Sequence, residues 1–167
     1  ASLGASNTAT VAGGPYTIVA SAATGGTFNT NNYTISYTNG GLSIGKAGLV
    51  VTADNKTRIY GNANPTLTYT VSGYVNGEGA STHSGSATIT TAASVTSTVG
   101  NVAITAAANN LTSSNYSFTY ANGTMAITQA PLTVTGANSS VTYSGVAQTN
   151  SAATVAGLKN SDSFTIS

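Results

Sequence analysis

The chain has no cysteine and no tryptophan, one histidine (His83) and one methionine (Met125). Without cysteine there is neither a disulfide framework nor a thiolate zinc site. Charge is almost as scarce. Lys46, Lys56, Lys159 and Arg58 stand against Asp54, Glu78 and Asp162, for a net charge of +1. That balance carries no basic footprint for nucleic acid or an anionic membrane surface. No apolar run reaches the roughly 18 residues of a membrane-spanning helix, and no charged segment precedes an apolar one as in a signal peptide. The opening residues read as the interior of something longer. No stretch keeps a 3.6-residue apolar period, so long helices are not expected.

Thr, Ser, Asn, Ala and Gly fill the chain instead. This is not the composition of a disordered segment, because Tyr, Ile, Val and Leu recur in alternating strand patterns. Short strands are expected at 15–20, 49–53, 67–71, 87–90, 102–105, 132–135, 154–158 and 164–166, with turn chemistry between them. The 54–58 segment gathers charge and is expected to turn in solvent. A polar loop covers 73–85, with a brief helical turn near 77–82.

The strongest pattern lies at 115–128 and again at 32–45. In each, Tyr, Ile or Phe, and Tyr alternate with small polar residues, and Asn-Gly follows. Asn-Gly suits a type I′ turn, so both stretches are expected to be two-residue β-hairpins. Counting outward would pair Tyr120 with Met125 and Phe118 with Ile127, and Tyr37 with Leu42 and Ile35 with Ile44. All the large apolar side chains would then share one face.

These stretches belong to a longer repeat. Asn32 matches Asn115, Asn39-Gly40 matches Asn122-Gly123, Leu49 matches Leu132 and Tyr60 matches Tyr143, each at a shift of 83. The shift drifts to 84 between Gly73 and Gly157 and to 86 between Gly14 and Gly100. The chain therefore divides into the back half of one copy (1–47), a whole copy (48–130) and the front half of a third (131–167). About 80 residues suffice for a small core. Joints of a few residues, one with Pro131, imply a stiff array.

Residues 49–53, Tyr60-Gly61 with Pro65, 67–69, Gly73 with Asn76-Gly77, and 115–127 together resemble the MBG-type repeats in their YGX form. Residues 131–167 depart towards a Tyr-Asp-Gly-like variant: Tyr143-Ser144-Gly145 lacks the following proline, and the acid that is Glu78 becomes Asp162. The resemblance implies tandem small domains of large secreted bacterial surface adhesins and carries over no catalytic residue.

Candidate chemistry is thin. His83 with Asp54, Glu78 or Asp162 could form a relay, but no nucleophile elbow accompanies it, and a solvated loop histidine is the simpler reading. Three isolated carboxylates do not make a calcium cage or a facing glycosidase pair. Tyr37, Tyr69 and Tyr120 could stack on sugar rings, yet share faces with aliphatic residues, which favours packing. Asn32, Asn55, Asn110, Asn115, Asn122 and Asn138 fit the glycosylation pattern, as chance allows in so Asn-rich a chain. Lys46, Lys56 and Lys159 fall in joints or loops, unsuited to a buried crosslink.

The expectation is an all-β protein of tandem small domains, with an immunoglobulin-like sandwich first and a β-grasp-like unit second. Its expected role is a stiff extracellular spacer or filament element on a bacterial surface, partnered head to tail by copies of itself, either along one chain or by strand complementation. A module binding glycan or host surface is the alternative. No catalytic site, metal, cofactor, nucleic acid partner or membrane insertion is expected.

Overall fold

The computed structural model describes residues 6–149 and 153–165. The fold is all-β. The strands are β1 (Tyr16–Ile18), β2 (Gly40–Leu42), β3 (Ala47–Ala53), β4 (Lys56–Ile59), β5 (Tyr69–Ser72), β6 (Thr88–Thr91), β7 (Gly100–Ala107), β8 (Tyr116–Ala121), β9 (Gly123–Thr128), β10 (Thr133–Gly136) and β11 (Ala153–Ala156). Single 3₁₀ turns occur at Thr30–Asn32 and Ala80–Thr82, the second where a helical turn was expected. Phe164 and Thr165 lie outside any strand, and Ile166 is beyond the described residues.

Neither expected hairpin forms. β8 and β9 belong to different sheets, β5-β3-β8 and β4-β9-β7-β6. β8 runs parallel to β3, with Ala47 opposite Tyr116 and Leu49 opposite Phe118. β9 runs parallel to β4, with Lys56 opposite Met125 and Arg58 opposite Ile127. Asn122 and Gly123 do not have the positive φ values that a type I′ turn needs. Instead the Asn122 side-chain oxygen accepts from the Ala106 N–H at 3.2 Å. Glycine is needed at 123 for room, since a Cβ there would sit 2.4 Å from the Ala53 carbonyl oxygen. The earlier stretch behaves alike: β2 pairs with β1 and places Leu42 opposite Tyr16, not Tyr37. Period-2 patterning marks a strand but does not name its neighbour.

The parallel pairs set both larger sheets apart from the purely antiparallel sheets of an immunoglobulin domain. The 54–58 expectation also needs correction. Lys56 to Ile59 is a strand, and Arg58 is 6% exposed.

Contacts divide the chain into two compact units. The first comprises Ala1–Thr52, Thr70–Thr88 and Ala107–Ala121; the second comprises Ala53–Tyr69, Ile89–Ala106 and Asn122–Ser167. In the first, Leu49, Val51, Ala87 and Tyr116 are buried. In the second, Ala53, Ala93, Ile104, Ala106, Met125 and Ile127 are buried. Each unit takes part of the middle copy together with one flanking half copy.

Within the units the repeat reappears in the strand pairing. β1 and β2 set Tyr16, Thr17 and Ile18 opposite Leu42, Gly41 and Gly40. β7 and β9 set Val102, Ala103 and Ile104 opposite Met125, Thr124 and Gly123. Shifts of 86 and 83 map the first set onto the second, residue for residue. The Asn39 side chain accepts from the Ala20 N–H, as Asn122 does from Ala106. The β10–β11 sheet likewise repeats the β3–β5 neighbours. Gly73 has φ of 104° against the Gly48 carbonyl, and Gly157 has φ of 105° against that of Pro131. A side chain at either position would meet both strained backbone and a carbonyl oxygen.

Candidate functional site

Each unit contains one copy-to-copy joint, built from a turn and a loop. In the first, Asn76 and Gly77 have φ of 56° and 70°, and the Glu78 N–H donates to the Val75 carbonyl at 3.0 Å. In the second, Asn160 and Ser161 have φ of 52° and 63°, and the Asp162 N–H donates to the Lys159 carbonyl at 2.8 Å. Two successive left-handed residues are the signature of a type I′ turn, which asparagine tolerates better than most residues.

The turn asparagine is the connecting group. The Asn76 amide donates to the Asn7 carbonyl at 3.0 Å, and the Asn160 amide donates to the Val95 carbonyl at 2.9 Å. The receiving loops also match, at a shift of 88. Ser6 and Thr8 hydroxyls lie 2.7 Å apart, and Ser94 and Thr96 hydroxyls 3.0 Å apart. The Ala9 N–H donates to the Ser6 carbonyl, as Ser97 does to Ser94. A cavity of about 410 Å³ lies beside the first joint, bordered by Val11, Ile44, Glu78, Asn115 and Tyr116. One of about 430 Å³ beside the second is bordered by Tyr60, Val99, Leu132, Lys159 and Asp162.

An acid sits at the same place in both joints, and each takes a tyrosine hydroxyl, from Tyr116 at the start of β8 in the first and from Tyr60 in the turn after β4 in the second. Tyr116, 2% exposed, donates to Glu78 Oε2 at 2.6 Å and accepts from the Val75 N–H at 3.2 Å. The Glu78 carboxylate holds the Tyr116 phenol above its ordinary pKa, because it accepts the proton that ionisation would remove. In the second joint Tyr60 donates to Asp162 Oδ1 at 3.5 Å.

His83 is not a solvated loop residue. Its ring stacks on Tyr74 at 6.0 Å and meets Phe118 edge-on at 5.9 Å, and Nε2 lies 2.7 Å from the Tyr74 hydroxyl. Nδ1 is buried without a hydrogen-bond partner. A relay needs a carboxylate on that nitrogen to orient the ring, and Glu78 is engaged by Tyr116 instead. Asp54 accepts from the Thr68 hydroxyl, which in turn accepts from Lys56 Nζ at 2.7 Å. The candidate acids are thus dispersed, and among the described residues no three His, Asp or Glu side chains cluster.

Arg58 is the residue that sequence reasoning placed worst. Its guanidinium donates to the Ile59 and Asn62 carbonyls at 3.3 and 3.1 Å and to the Ser94 carbonyl. It thereby holds the 59–62 bend against the loop that Asn160 reaches. The asparagines were likewise undervalued. Asn55, Asn110, Asn115 and Asn122 each accept a backbone N–H through the side-chain oxygen. Asn55 recurs as Asn138, Asn115 as Asn32 and Asn122 as Asn39, and that recurrence was the signal. Tyr37 is 47% exposed, and Tyr69 and Tyr120 are half-buried.

Residues 49–126 match the family model of the MBG domain (YGX type). This stretch is an MBG domain. No curated protein and no solved structure matches the chain. MBG domains are associated with repeat regions of surface proteins. The matched residues span β3 to β9, so the parallel β3–β8 pair joins the beginning of the MBG domain to its end. Its Tyr60-Gly61 motif forms the bend above the Arg58 guanidinium, where the Tyr60 N–H donates to the Thr128 carbonyl at 2.8 Å.

Proposed function

We propose that the chain is a structural segment of an extracellular bacterial surface or fibre-forming protein, acting as a stiff spacer between copies of its MBG domain. Its partners are neighbouring copies of itself, head to tail. The reading assigns no catalytic group, cofactor, nucleic acid partner or membrane insertion. What supports it is the duplicated joint: the same turn asparagine donates to the same loop carbonyl in each unit. A flexible linker has no reason to keep such a bond twice. Near neutrality of charge also suits long arrays, since like-charge repulsion between adjacent copies is small.

Small-angle scattering of the dilute chain tests this. The expected result is an elongated particle with little bending, and a broader distribution for the Asn76→Ala/Asn160→Ala double variant. Wide flexibility in the unsubstituted chain would sink the spacer reading.

Exposed tyrosines favour a second reading, a glycan- or host-surface-binding module. Tyr143 is 94% and Tyr33 63% exposed, and aromatic faces suit sugar rings. Saturable binding to immobilised glycans, lost in Tyr143→Ala, would favour it.

A further inference from the structure

We propose that the hollow beside His83 in the first unit binds an acidic sugar, a hydroxylated ring that carries a carboxylate or sulfate. The proposal deepens the glycan-binding reading above, to which it gives a site and a ligand class.

The hollow holds about 380 Å³, within the roughly 300–1,000 Å³ of small-molecule sites. Every residue lining it is Ser, Thr or His83, and all of them belong to the whole copy, 48–130. Its walls are tied together. The Ser84 and Thr112 backbones exchange N–H to carbonyl bonds, both at 3.0 Å, and the Ser113 hydroxyl donates to the Thr82 carbonyl at 2.8 Å. The site is thus formed before any ligand arrives, and little ordering is left to binding.

Hydroxyls set the ligand class. Each is both donor and acceptor, and so is each hydroxyl of a sugar. Ser81 and Ser114 are exposed, with hydroxyls unpaired among the described residues. Those of Ser84 and Thr112 lie 2.9 Å apart, so one proton is shared between them and the other is left to give. His83 supplies the apolar part. Its Nε2 is taken by the Tyr74 hydroxyl and its Nδ1 is buried, so the ring offers the hollow carbon surface, on which the C–H face of a sugar packs. The same engagement leaves no nitrogen for a metal ion.

Lys46 sets the charge. Its ammonium donates to the Ser113 carbonyl at 2.7 Å, which pins it beside the lining. That bond uses one of the three ammonium protons, and no carboxylate pairs with the others among the described residues. No acid lines the hollow, and Glu78 is engaged by Tyr116. A cation beside free hydroxyls, with no acid to neutralise it, favours an anionic group on the ligand.

His83 is the only histidine in the chain, so its ring protons give unambiguous nuclear magnetic resonance signals from the lining itself. Glucuronate, glucose 6-sulfate, glucose and inorganic sulfate are titrated separately into the full chain at matched pH. Saturable shifts of the His83 signals are expected with the acidic sugars, and roughly fivefold weaker binding with glucose, the size of an exposed ion pair. Inorganic sulfate alone should give no saturable shift. Raised salt should erase the acidic preference and leave glucose binding unchanged. Lys46→Met keeps the apolar stem without the charge and should bind glucuronate and glucose alike. Ser81→Ala/Ser114→Ala should weaken all the sugars, with circular dichroism unchanged in both variants. No shift with either acidic sugar, glucose as tight as glucuronate, or inorganic sulfate as tight as glucose 6-sulfate overturns the proposal. So does an acidic preference that survives Lys46→Met. Glycan binding lost in Tyr143→Ala but kept by Lys46→Met and Ser81→Ala/Ser114→Ala removes this site and leaves the reading above. The absence of all sugar binding removes both.

Discussion

Leu49 and Leu132 occupy the same place in successive copies, and substituting each by alanine measures what β8 contributes to β3. Leu49 is 0% exposed, whereas Leu132 is 46% exposed. Truncating a fully buried leucine loses its transfer free energy and leaves a cavity, so Leu49→Ala should destabilise by ~2–5 kcal/mol. At Leu132 nearly half of the side chain already meets water, and solvent fills the space left. Full burial of a leucine is worth ~1.5–3 kcal/mol, so Leu132→Ala should cost about 1 kcal/mol in the dilute chain. Against a total of ~5–15 kcal/mol, the first loss is a large fraction and the second a small one. Urea unfolding followed by far-ultraviolet circular dichroism reads both, provided the slope with denaturant is unchanged. Equal losses, or a larger loss at Leu132, would refute the claim that the parallel neighbour buries this position.

Two further substitutions probe the sheet crossing and the acid–tyrosine pair. Asn122→Gly would be harmless in a type I′ hairpin; here it removes the acceptor for the Ala106 N–H, so a loss of about 1 kcal/mol is expected, and unchanged stability would restore the turn. Because the Tyr116 pKa is raised on folding, its contribution is full below the unfolded value of about 10 and is lost as pH climbs through the folded value. Tyr116→Phe should therefore flatten part of the fall in stability above pH ~10, and stability curves that stay parallel would remove this role for Glu78.

Much of the fold was legible because strands announce themselves locally. Alternation located β1, β3, β5, β6, β7, β8 and β10 to within a few residues, and self-similarity exposed the repeat. Partners were another matter. Asn122-Gly123 has strong hairpin chemistry, but the parallel neighbour at Ala47 to Thr52 lies 69 positions away, and nothing in a short window records it. Arg58 was misplaced for a related reason. A charge amid polar residues looks solvated, and its burial depends on carbonyls at Asn62 and Ser94 gathered by the fold. His83 was masked similarly, since Tyr74 and Phe118 reach it from separate strands and loops. The joint was half visible. The equivalence of Gly73 with Gly157 stood out, whereas Asn76 with Asn160 emerges only once the two turns are seen to share a shape.

The direction of the β3–β8 pair decides how the protein bears a pull. The chain enters β3 at Ala47, beside Tyr116, and leaves β8 at Ala121, beside Thr52. Tension applied before Ala47 and after Ala121 therefore draws the two strands lengthwise past each other. Sliding loads the hydrogen bonds of all six facing pairs together, whereas a hairpin pulled at its open end would unzip them one at a time. Under the spacer reading proposed above, tension along the array is this kind of load, and the parallel arrangement sets the short ladder to resist it as a whole.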